Sequence, residues 1–142
     1  MSTGSRLRNT RAAVRAAAAF AVLASAGCKA RLEGSLSING APFVAQSCRS
    51  TQPMGFGGVE LADANGRRLR LVADPTGSGQ AIAVLLAPGA AAGIATPNCG
   101  TLTIQPQNSR VNNVQNVEGR AQLQCATPEG VLMGTLAFGN CH

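Results

Sequence analysis

Five cysteines, six carboxylates, one histidine and a close trio of arginines are the residues of this 142-residue chain with chemistry to offer. The histidine, His142, is the last residue, so a Ser-His-Asp or Cys-His arrangement would rest on a chain terminus, where side chains are poorly held. Cys28, Cys48, Cys99, Cys125 and Cys141 contain no CxxC spacing, which argues against a zinc site or a thioredoxin-like redox pair. No metal and no cofactor are expected. Asp74-Pro75-Thr76-Gly77-Ser78-Gly79 has the outline of a phosphate loop but lacks the P-loop lysine and the final glycine of GxGxxG, so it reads as a β-turn. Glu60 and Asp63 lie close in sequence, yet Asp63 belongs to a turn, and paired carboxylates need a cleft around them. Met54-Gly55-Phe56-Gly57-Gly58 reads as a flexible segment that is not a site. No catalytic residue is assigned.

The remaining feature is Arg67, Arg68 and Arg70. With Leu69 and Leu71 facing a core, Arg68 and Arg70 share the outer face of a strand, where guanidinium groups can meet phosphate, carboxylate or anionic lipid head groups. The alternative is a solvated strand face whose charges discourage edge pairing.

The elements that would position these residues are strands. Leu32, Gly34, Leu36 and Ile38 alternate with polar partners, the period of a strand with one buried face, and Asn39-Gly40 then gives a strong hairpin signal. Phe43 to Ser47 is the expected returning strand. A second hairpin runs from Phe56 to Ala62, through Asp63-Ala64-Asn65-Gly66, to Arg67 to Ala73. Pro75 to Gly79 turns into the apolar run Gln80 to Ala87, Gly100 to Gln105 alternates again, and Gly119 to Ala126 pairs with Val131 to Gly139. Pro88 to Pro97 and the stretch holding Val111, Val114 and Val117 read as irregular connections. The expectation is an all-β domain, a small antiparallel sandwich or barrel of about eight short strands. Its large aromatics are Phe43, Phe56 and Phe138, so most of the core must be Leu, Val, Ile and Ala, and disulfides would help hold it.

Strand order constrains those disulfides. A register setting Gln105 opposite Gly119 places Cys99 opposite Cys125, and the following strand carries Cys141 roughly 30 Å from Cys125 at about 3.4 Å per residue. Bridged cysteines need Cα atoms within about 7 Å, which leaves Cys99 with Cys125 and Cys48 with Cys141.

Cys28 stands apart from these four. Residues 1 to 15 are polar and arginine-bearing, Ala16 to Ala26 form a short apolar run, and small residues follow, which is the layout of a signal peptide over residues 1–27. The run is too short for a spanning helix. Four of the twelve basic residues, Arg6, Arg8, Arg11 and Arg15, lie in this leader, leaving eight against six acids in the mature chain. That balance and the absence of Trp and Tyr argue against nucleic acid as a partner. Ala24-Ser25-Ala26 suits an ordinary signal peptidase, which would give a secreted chain starting at Gly27.

Ser25-Ala26-Gly27-Cys28, however, resembles the lipobox of bacterial lipoproteins, with Ser25 in place of the usual leucine. The resemblance covers the leader and implies that Cys28 is lipidated and becomes the new N-terminus. The whole is similar in texture to small Cys-paired β lipoproteins of GC-rich bacteria, an alanine- and glycine-rich composition in which Lys29 is the only lysine. The expected protein is therefore a non-enzymatic envelope lipoprotein of the outer membrane or periplasm, residues 28–142 forming one domain. Its expected partners are the membrane through its lipid and an envelope protein or anionic surface. Two other readings stay open: a small secreted hydrolase, which needs a deep pocket with converging polar groups, and a barrel that binds small apolar ligands in an empty interior.

Overall fold

The structure is a computed structural model that describes residues 29–142; the leader and Cys28 lie outside the described residues. Ten strands form two five-stranded antiparallel sheets. The first contains β1 (Arg31–Ile38), β2 (Ala41–Phe43), β8 (Gly100–Val111), β9 (Val114–Thr127) and β10 (Gly130–Cys141), in the order β2-β1-β10-β9-β8. The second contains β3 (Ala45–Ser50), β4 (Gly58–Asp63), β5 (Arg68–Ala73), β6 (Ala81–Leu86) and β7 (Ala95–Thr96), in sequence order. The architecture is a sandwich. Its interior is filled by Leu36, Phe43, Leu102, Leu123, Leu132 and Phe138 from one sheet and Val59, Leu61, Leu69, Leu71, Ala83 and Leu85 from the other. Each fully buried leucine contributes about 1.5–3 kcal/mol by transfer, which lets a core with two aromatics suffice.

Alternation builds these strands, and turns built on positive φ separate them. Asn39 (φ 52°) and Gly40 (φ 78°) link β1 to β2, as their types dictate. The returning strand differs from expectation: after Phe43 the chain crosses at exposed Val44 to the other sheet, so Ala45–Ser50 pairs with β4 and not with β1. The valine-rich stretch is also strand. β8 and β9 extend to a tight turn at Asn112 (φ 50°) and Asn113 (φ 66°), which sets Val111 and Val114 three apart and opposite each other, and a register shift lies between Pro106 and Arg110. Pro88 to Pro97 is irregular except for the two residues of β7. Phe56 leaves the core altogether, because β4 begins two residues later at Gly58.

The disulfides are Cys48–Cys141, which joins the sheets, and Cys99–Cys125, with Cα separations of 5.0 and 4.8 Å. These are the pairs strand order selects, although the β8–β9 register is one residue from that assumed: Ile104, not Gln105, faces Gly119. Regular alternation from Leu102 would turn Cys99 outward. Gly100, at φ 109°, breaks the alternation and lets Cys99 face inward, fully buried, toward Cys125.

Candidate functional site

The three arginines do not form a free cationic patch. Register places Arg49 of β3 opposite Glu60 of β4 and Glu60 opposite Arg70 of β5, so three alternating charges lie in one row on the outer face. Glu60 is almost wholly buried among them: Arg49 Nη2 donates to Oε1 and Arg70 Nη2 to Oε2, each at 2.8 Å, with Arg68 Nη1 3.8 Å away. Arg68 also donates to the carbonyl of Ala90, pinning the irregular segment over β6. Arg67 turns elsewhere, to Asp63 at 2.7 Å and over the Phe43 ring at 5.6 Å, tying the β4–β5 turn to the β2 edge. β5 is the central strand of its sheet, so its charges guard no edge.

Burial would raise the Glu60 carboxyl, but hydrogen bonds from Arg49 and Arg70 and their positive charge outweigh it and hold the group below its ordinary 4.5. The stabilisation this carboxylate provides is therefore complete above pH 4.5 and lost as the pH falls through the lowered value. Glu60→Gln should cost about 2 kcal/mol at neutral pH, less than a fully enclosed pair because Arg49 is well exposed. Urea unfolding across a pH series checks it. The gap between the two proteins should close in acid, and a gap that persists there would refute the assignment.

The other sequence candidates stay apart. Asp63 is engaged by Arg67, which also lowers its carboxyl against the effect of burial. His142 is exposed, its Nδ1 3.4 Å from the carbonyl of Asn140. Asp74 sits in its turn, accepting from the Thr76 amide and the Ser78 hydroxyl. Among the described residues no three His, Cys, Asp or Glu side chains stand together to hold a metal.

Sequence reasoning missed one concavity, a groove of about 530 Å³ at the rim of the sandwich. One wall is the Gly55–Gly58 segment with Phe56; the other is β8–β9, through Ile104, Pro106 and Val117. Ser50, Gln52, Gln105 and Gln115 supply neutral hydrogen-bonding groups. The mouth exists because a single 3-10 turn, Gln52–Met54, closes with Gly55 at φ 92° and swings Phe56 outward, its carbonyl held by the Thr51 hydroxyl at 2.8 Å. The described residues that line it are non-ionisable, so they can bind an apolar or amide-bearing group but supply no general acid or base. The signal available in the sequence was Phe56 itself, an aromatic set among glycines outside any alternating run. No family model, curated protein sequence or solved structure matches this chain.

Proposed function

We propose that this is an exported envelope lipoprotein, anchored through Cys28, whose sandwich has a non-enzymatic structural or partner-binding role at the outer membrane or in the periplasm. The observation that carries the reading is cysteine parity. Two disulfides consume Cys48, Cys141, Cys99 and Cys125, so Cys28 has no cysteine left to pair with in its own chain, and it stands at the lipobox position. The disulfides themselves belong to an oxidising compartment outside the cytoplasm. The partner-binding role is supported by the rim groove, which offers apolar walls and neutral amides. A non-enzymatic role is supported by Glu60 and Asp63, whose carboxylates are already committed to arginines.

Intact mass of the native protein extracted from membranes tests this directly, because it reports cleavage, acylation and oxidation together. The expected mass is that of residues 28–142 with two disulfides and several acyl chains, since one chain alone holds a protein only marginally. Cys28→Ser should leave the protein soluble or unprocessed. A soluble, unmodified native chain starting at Gly27 would overturn the anchor.

A further inference from the structure

The chain enters the fold at one end of the sandwich, where apolar side chains stand exposed among cations. Lys29 is held there: its carbonyl accepts from the Asn140 side chain at 3.3 Å, while the Asn140 amide donates to Gln107 at 2.9 Å. Two residues on, Arg31 pairs with Gly139 in register and approaches Glu118 at 3.7 Å. Cys28 is therefore one Cα step, about 3.8 Å, from a residue already fixed to the domain. An acyl anchor on it has no tether.

The surface around this point carries apolar side chains ringed by cations. His142, beside Asn140, lines one shallow concavity with Pro53, Met54, Val111 and Val114. Met54 is 39% exposed and Phe56, at the mouth of the adjacent groove, 43%. Lys29, Arg31, Arg49 and Arg110 are exposed around them; Arg31 is matched by Glu118 and Arg49 by Glu60, which leaves Lys29 and Arg110 as the cations here with no carboxylate partner among the described residues. The opposite end also exposes apolar side chains, Val131 and Met133 beside the Thr127 to Gly130 turn, so exposure alone singles out neither end; the place where Lys29 joins the fold does.

We propose that the end formed by Lys29, Met54, Phe56 and the β8–β9 turn rests on an anionic phospholipid bilayer. Met54 and Phe56 enter the acyl boundary, and Lys29 and Arg110 meet the phosphates. This inference rests on the anchoring of Cys28 proposed above. Without a tether the lipid holds this end, and no other, within reach of the head groups, and the apolar side chains exposed there gain a dry environment. The basic side chains add attraction that fades with salt and with loss of anionic lipid.

The chain contains no tryptophan, so Phe56→Trp gives a single reporter at this end and Val44→Trp, 63% exposed beside the β4–β5 turn, one at the other. Both proteins, in native acylated form, are floated with phosphatidylcholine–phosphatidylglycerol vesicles carrying brominated acyl chains. The Phe56→Trp protein should lose most of its emission and the Val44→Trp protein almost none. The loss should weaken on phosphatidylcholine alone and when Arg110→Glu is added. Met54→Trp, as a second reporter at the same end, should be quenched as Phe56→Trp is. Flotation with neither end quenched, or with both quenched alike, overturns the docked orientation and leaves the anchor standing. Failure to float overturns the anchor and the docking that depends on it.

Discussion

Serine at both Cys48 and Cys141 should destabilise the protein by about 4.7 kcal/mol, on the chain-entropy estimate for a bridge across 93 residues. Small domains are stable by only about 5–15 kcal/mol, so the variant should be largely unfolded at physiological temperature. Removing Cys99–Cys125, which closes 26 residues, should cost about 3.5 kcal/mol. The first loop encloses the second, so losing both costs less than the sum. Urea unfolding of the oxidised protein and the two serine pairs measures each term. Non-reducing peptide mapping accompanies it: fragments must link Cys48 to Cys141 and Cys99 to Cys125. A peptide joining Cys125 to Cys141 would refute the β9–β10 hairpin itself, because Leu132, not Cys141, lies opposite Cys125.

Phe138→Ala should cost about 3–5 kcal/mol, the largest effect of any single truncation in this core. Phe138 is almost wholly buried, and the one other core aromatic, Phe43, belongs to the β2 edge, so no neighbouring ring can fill the space it leaves. Its site requires a glycine. Gly119 lies opposite Phe138 in register, and a Cβ there would stand 2.8 Å from Cζ of the ring and would also meet the carbonyl oxygen of Thr103. Gly119→Ala should therefore cost about 1–3 kcal/mol through overpacking. In the double variant the clash with the ring disappears while that with Thr103 remains, so the combined loss should fall short of the sum. A double-mutant cycle by urea unfolding reads this coupling, and strict additivity would refute the packing of Phe138 over Gly119.

Much of this sandwich is written in the sequence at short range. The Leu32 to Ile38 alternation and the turns at Asn39-Gly40 and Asp63 to Gly66 depend only on neighbours, and each sits where the pattern places it. Cysteine pairing was legible at one remove, from strand direction, which survives a register error of one residue because Gly100 reorients Cys99. What depends on long-range company was not legible. Nothing near Glu60 in sequence says that Arg49 and Arg70 flank it; only the register of three strands does. The strands beside Asn112-Asn113 were obscured because Val111 and Val114 stand on either side of that turn, three residues apart, where no period of two carries across. The rim groove joins residues 50–58 to residues 104–117, segments whose meeting follows from the packing of two sheets.

The manner in which β1 is bound also decides how the molecule carries load. A force applied through the N-terminus enters at Arg31 and runs along a strand paired with β10 at eight consecutive positions, from Arg31↔Gly139 to Ile38↔Leu132. Pulled lengthwise against a load held at the Asn39-Gly40 end, those pairs must slide together instead of peeling one by one, and β10 is itself fastened, since Cys141 at its end is bolted to Cys48 in β3. Resistance to such traction is set by an unfolding rate rather than by equilibrium stability. Under the anchoring proposed at Cys28, the β1–β10 pairing is the joint such a load would reach first.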